Sequence, residues 1–293
     1  KKFNPKRYDI QLKSALHRAI ADRMIQKSAW LLSLIEMHSN NWHKVFYIAI
    51  ARYFGMKVNA DAMEDLAFRT PNELLAKNKH SKLRIEALLF GQSGFLDAPA
   101  EDEYHAKLKQ EYNFLKKKYD LTSMSILSWK FSKMRPANFP TIRISQLAAL
   151  ISKQSHLFSK VIQEKNVSVL KGFFAIENTD YWRSHYKFGV LAKRGVQQLG
   201  SGTIESLLIN LVAPMLFAYG KHRNDENMKE RAFDLLELLK PEDNKFTRWY
   251  KDIGFPNNTA YDSQAIIGLR ENYCEKRRCL QCSIGIKILD KPE

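Results

Sequence analysis

A chain of 293 residues with 45% hydrophobic and 12% aromatic side chains has the apolar mass for a large core or two lobes, which excludes a disordered tail or linker. Its 47 Lys and Arg against 31 Asp and Glu leave a formal charge of +16. That balance favours a polyanionic partner, because each cation set on a phosphate releases a condensed counterion. The 3 cysteines, confined to residues 274–282, exclude a disulfide framework and fit a reducing, cytoplasmic setting.

The opening "KKFNPKRYDI" is basic but lacks the apolar segment of a secretory signal, and a start at Lys1 sets the expectation of a piece of something longer. In "NWHKVFYIAIARYFGM", Trp42, Val45, Phe46, Ala49, Tyr53 and Phe54 recur at helical spacing and predict an amphipathic helix ending at Gly55. After loop punctuation at 91–102, "DEYHAKLKQEYNFLKKKYDL" carries a stripe of Tyr104, Leu108, Tyr112 and Leu115 among Lys and Glu. A second loop at 133–141 leads into a helix after Pro140, with Ile144, Leu147, Ala148 and Ile151 facing inward.

The uncharged run "SLLINLVAPMLFAYG" (206–220) is short for a membrane span and holds Pro214 at its middle, so a buried, kinked core helix and no membrane partner are expected. "MKERAFDLLELLK" reads as a helix stopped by Pro241, and "DSQAIIGLRENYC" as a helix with Asp262 and Ser263 as N-cap candidates. "IGIKIL" is the best strand candidate, and it is short. The expected class is therefore mainly α, a multi-helix globular bundle with little β. Its punctuation suggests two helical lobes, 1–132 and 133–293, the second ending in a basic turn that holds the cysteines.

That turn, "YCEKRRCLQCSIG", spaces its thiols C-x4-C-x2-C. On one straight helix the three would spread over about 140°, so convergence on a metal needs a reversal at "EKRR". Converged, Cys274, Cys279 and Cys282 would hold zinc, or alternatively an iron–sulfur cluster, with His185 as the nominated fourth ligand. Unconverged, they are three reduced cysteines packing a turn. Arg270, Lys276, Arg277 and Arg278 around them suit a phosphate backbone, and equally a solvated face. Arg135 and Arg143 bracket the prolines of "RPANFPTIR", where a helix N-terminus with arginines nearby suits an anion, or where the segment is a structural elbow. "TDYWRSHYKFG" (179–189) interleaves rings and cations, an arrangement that stacks bases or, more commonly, packs a half-buried helix. No P-loop, dinucleotide fingerprint, H-E-x-x-H or G-x-S-x-G occurs, and the carboxylates of "KPEDNK" follow a helix, unlike those of a strand-borne nuclease core.

The stretches "EALLFGQSGFL", "RPANFPTIRISQLAALI", "YWRSHYKFG", "LINLVAPMLFAYG", "LLELLKPEDN" and "DSQAIIGLRENYCEKRRCLQC" resemble an uncharacterised domain-of-unknown-function family of Bacteroidota over nearly the whole chain. That resemblance implies longer members with an N-terminal β-rich region similar to restriction-endonuclease-like folds. Any nuclease carboxylates would belong to that region, and no catalytic residue is assignable here. The expected function is a basic helical module that binds nucleic acid as the accessory part of a nuclease-like protein. The alternative is a protein-interaction or structural module meeting an acidic partner or its own N-terminal domain. A third reading is an enzyme acting on a small anion near His185 and Arg183.

Overall fold

The computed structural model describes residues 8–289 apart from Arg194, Val196 and Gln197. It is mainly helical, and it divides into two compact units: residues 38–204, and a composite of residues 1–37 with 205–293. The break expected at 132/133 falls inside the first unit. There, helices from both sides of it share one buried surface, and the Asn59 amide bonds both the carbonyl and the N–H of Lys130 at 2.9 Å.

Unit 38–204 contains α2 (Trp42–Phe54), α3 (Ala60–Arg69), α4 (Asn72–Lys77), α5 (Lys82–Gln92), α6 (Glu103–Tyr119), α7 (Pro140–Lys153), α8 (Leu157–Gln163), α9 (Val167–Phe174) and α10 (Asp180–Ser184). A two-stranded hairpin, β1 (His185–Lys187) with β2 (Val190–Leu191), follows. Helix α5 is its axis, buried without a break from Ile85 to Gln92 and packed by α6 on one side and α7 on the other. Fully burying Ile85, Leu88, Leu89 and Phe90 contributes about 1.5–3 kcal/mol each. Contact with α6 is so close that a Cβ on Gly91 would stand 2.1 Å from the Tyr112 ring.

The stripe expected in α6 is real at Leu108, Tyr112 and Leu115, but His105 takes the buried place expected of Tyr104. Helix α2 ends at Gly55 as expected, though for a different reason. Gly55 is right-handed, and a Cβ there would meet the Asn59 carbonyl at 2.3 Å; the left-handed residue is Met56.

The composite unit is built on α1 (Asp9–Met37), the longest helix and one that the periodicity reading above does not include. Its buried Leu12, Leu16, Ala19, Ile20, Met24, Leu31, Leu34 and Ile35 follow the i, i+4, i+7 pattern. They pack against α12 (Ala213–Arg223), α15 (Ala260–Leu269) and α16 (Ser283–Leu289). Gly268 lets α15 close on α1, since a Cβ there would lie 2.6 Å from the Ala19 carbonyl. Helices α13 (Glu226–Glu237) and α14 (Lys245–Asp252) complete the unit.

The run through Pro214 is a helix, α11 (Ser201–Leu207) passing through a π turn (Leu208–Val212) into α12. Proline lacks an N–H and its ring crowds the carbonyl four residues back, that of Asn210, so the helix widens there. Ser201–Arg223 is long and apolar enough to cross a membrane by length and composition, and 67% of its apolar window is buried inside the protein.

Two expectations are corrected. "IGIKIL" is not a strand but most of α16, with the Ile286 N–H on the Cys282 carbonyl at 2.9 Å. The N-cap of α15 is Thr259, not Asp262 or Ser263. Asp262 instead serves at N3, where its side chain returns to the Thr259 N–H in a capping box.

Candidate functional site

From its capping box α15 runs to Leu269 and opens into a second π turn, Arg270–Cys274. Two five-residue bonds close that end: Glu275 N–H to the Arg270 carbonyl and Arg278 N–H to the Tyr273 carbonyl, both 2.9 Å. Arg277, at φ +54°, reverses the chain, and a 3-10 turn at Cys279–Gln281 feeds α16. The reversal at "EKRR" is therefore present.

Cys274, Cys279 and Cys282 line one cavity of about 200 Å³, walled by Tyr250, Phe255, Leu269, Tyr273 and Ile284. All three are free thiols, and Cys282 is buried. The Tyr250 hydroxyl donates to Cys274 Sγ at 3.5 Å. Burial pushes the Cys274 thiol above its ordinary range against the opposing Tyr250 hydrogen bond, with smaller contributions in the same direction from Cys282 and Cys279. Among the described residues no group of three or more His, Cys, Asp or Glu is arranged to hold a metal ion.

Cations on the turn divide by role. Lys276, Arg277 and Arg278 are exposed and form no ion pair among the described residues. Arg270 is half-buried and committed: it pairs with Glu275 across the π turn and lies 3.0 Å from the centroid of the Phe246 ring.

The remaining nominated residues belong to unit 38–204. Arg135 is exposed at the start of a 3-10 turn. Arg143 is only 7% exposed and cannot meet a phosphate backbone as it stands. Its guanidinium donates to Asn138 Oδ1 at 2.6 Å and Gln146 Oε1 at 2.9 Å, an elbow clamp for "RPANFP". His185 stacks on Tyr181 with centroids 4.0 Å apart, and its Nδ1 sits 3.0 Å from the Tyr181 carbonyl.

The large rings of "TDYWRSHYKFG" pack, while Arg183 is exposed and paired with Glu177 and Asp180. Trp182 is fully buried against Phe90, and Tyr181 stacks on Tyr104. Tyr104 and Thr179 donate to Glu86, whose carboxyl is pushed up to about 7 by burial against those two hydrogen bonds. Asp102 is the opposite case. Burial opposes its charge, but bonds from Tyr181 and from the His105 and Gly189 N–H groups outweigh it and hold the carboxyl below its usual range.

Sequence reasoning missed a second polar centre, in the composite unit. Lys27 Nζ donates to Asn210 Oδ1 at 2.6 Å and Gln264 Oε1 at 2.9 Å. Both amides return a donor to the Glu242 carboxylate, and Arg23 joins Gln264 at 2.8 Å and Glu271 beyond it. Lys27 is half-buried as a residue, yet its ammonium is enclosed. Burial, and then Arg23, bring its pKa to about 7 against the pull of Glu242 and Glu271. Asn210 and Glu271 each sit in one of the two π turns, Asn210 half-buried and Glu271 exposed at the outer end of the network. No local pattern joins Lys27 to Gln264 across 237 residues; the available signals were Pro214 and the carboxylate of "KPEDNK".

Fold and site define a mainly α-helical protein that encloses two titratable side chains, Lys27 and Glu86, in polar centres and displays exposed cations on one turn. Over residues 5–245 the chain matches the family described as "Protein of unknown function (DUF2851)", and it belongs to that family. The match ends before the cysteine turn. No curated protein and no solved structure matches the chain.

Proposed function

We propose that the chain binds a nucleic-acid backbone through the turn 276–278, as an accessory module of a nuclease-like protein. The observation that carries this reading is the state of Lys276, Arg277 and Arg278. Three consecutive exposed cations lack carboxylate partners on a turn closed by backbone bonds at both ends, so ordering them on phosphates costs little further entropy. Trp249, 56% exposed on α14 and lining the same cavity as the cysteines, adds a ring on which an unpaired base can stack.

The test is binding to single-stranded and duplex DNA and RNA between about 50 and 200 mM salt. Neutralising the three cations to Gln should reduce the log–log salt slope on single strands by about 2. Trp249→Ala should cost about 1–3 kcal/mol on single strands while leaving that slope intact. No binding at low salt, or an unchanged slope in the neutralised variant, overturns the reading. Exposed Leu280 (75%) beside the cations favours a second reading, an acidic protein partner with an apolar contact. A stoichiometric partner that co-purifies without nucleic acid selects it.

A further inference from the structure

We infer that the cavity under the turn takes a [4Fe–4S] cluster, with Cys274, Cys279 and Cys282 as its three protein ligands. All three thiols of the chain face one space of about 200 Å³, although a π turn, a left-handed reversal and a 3-10 turn lie between them. That convergence is costly to build for packing alone, because a methyl or hydroxymethyl group would fill each place as well.

The arrangement separates a cluster from a single ion. A mononuclear zinc site draws every sulfur to about 2.3 Å from one centre, so its ligands nearly touch. The described residues contain no such group. A cubane can take three cysteine ligands and leave its fourth iron to an exogenous one, and three thiols are the only ligand-type side chains on this cavity. The walls agree: the lining residues include no carboxylate or imidazole, so nothing there suits a hard cation, while thiolates with aromatic and aliphatic walls suit soft iron–sulfur chemistry.

Neighbouring features fit a ligand set. Gly285 lets α16 close on the turn, since a Cβ there would stand 2.3 Å from the Cys279 carbonyl, and this seats Cys282 at the cavity edge. Tyr250 donates to Cys274 Sγ, the kind of sulfur hydrogen bond that tunes a cluster's potential. Loading a [4Fe–4S]2+ core forms three Fe–S bonds and releases three thiol protons, leaving a net charge of −1 near the cations of the turn. The chain has no fourth cysteine. The fourth iron therefore keeps an exchangeable oxygen ligand.

The experiment is anaerobic reconstitution of the full chain with ferrous and ferric iron in equal number plus sulfide, which builds the core without an external oxidant. Expected are four irons and four sulfides per chain, a thiolate-to-iron charge-transfer band, and a paramagnetic signal after one-electron reduction. Cys279→Ser, at an exposed position, should lose the band at least tenfold with unchanged far-UV circular dichroism, and Cys274→Ser likewise. Tyr250→Phe should keep the cluster and lower its potential. One zinc per chain with no cluster, or a band that survives both cysteine variants, overturns the inference. These readouts need no nucleic acid, so they stand or fall apart from the binding reading.

Discussion

Lys27→Met isolates the buried amine of the composite unit. In the unfolded chain a lysine titrates near 10.5, whereas in the folded protein burial brings Lys27 to about 7. Between those values the unfolded state holds a proton that the folded state has released, so stability rises with pH by up to about 1.4 kcal/mol per unit. Below pH 7 the penalty is fully present. As pH rises through 10.5 it disappears. Working the linkage between pH 7 and 9 assigns about 2 kcal/mol of added stability to Lys27 alone.

Methionine fills a similar volume and cannot titrate, so the variant should lack this increment. It also removes the donor to Asn210 and Gln264, a cost of about 1–3 kcal/mol that does not depend on pH. Urea unfolding of both proteins at pH 7, 8 and 9 measures the difference, and other titrating groups cancel in the subtraction. Stability should diverge in favour of wild type by about 2 kcal/mol over that range. Parallel curves would mean a hydrated amine with an ordinary pKa, and the argument for an enclosed ammonium would fail.

Glu86 has the opposite sign. Its folded pKa of about 7 exceeds the unfolded 4.5, so its contribution is present below 4.5 and lost as pH rises through 7; Glu86→Gln should gain about 2–3 kcal/mol on wild type between pH 5 and 8, read by the same denaturation series. Gly268→Ala forces a Cβ against the Ala19 carbonyl and should lower stability by about 1–3 kcal/mol, seen as a lower Tm; an unchanged Tm would show that α1 and α15 can separate without cost. Thr259→Ala removes the cap of α15 and should cost about 1 kcal/mol in chemical denaturation, while Thr259→Ser should restore most of it. Arg143→Ala should reduce stability and leave nucleic-acid affinity unchanged, because its donors serve Asn138 and Gln146; a weakened complex with an intact fold would contradict that assignment.

Much of the helical content was legible because the 3.6-residue period is a local property. Trp42 to Phe54, the Leu108–Tyr112–Leu115 stripe and the Pro214 distortion all follow from residues within a few turns of one another. The cysteine spacing required a reversal at "EKRR" only if the thiols were to converge, and the chain does reverse there, at Arg277. Local rules failed where two signals compete over a few residues. "IGIKIL" alternates like a strand, but the preceding 3-10 turn and the Cys282 carbonyl start a helix. Thr259 outcompetes Asp262 as a cap because a side chain at N-cap and one at N3 satisfy each other.

By itself, then, the sequence determined the helical class, several helix cores, the excess of positive charge and the confinement of every thiol to one short segment, since each is additive along the chain or repeats within a few residues. Tertiary structure alone decided which of those features meet. It buried Arg143 while leaving Lys276, Arg277 and Arg278 exposed, and it set His185 on Tyr181. It also enclosed Lys27 among amides from helices 183 and 237 residues away. The physical reason is that desolvation depends on everything packed around a group. The same lysine is an ordinary surface cation or a near-neutral amine according to neighbours that no local pattern specifies.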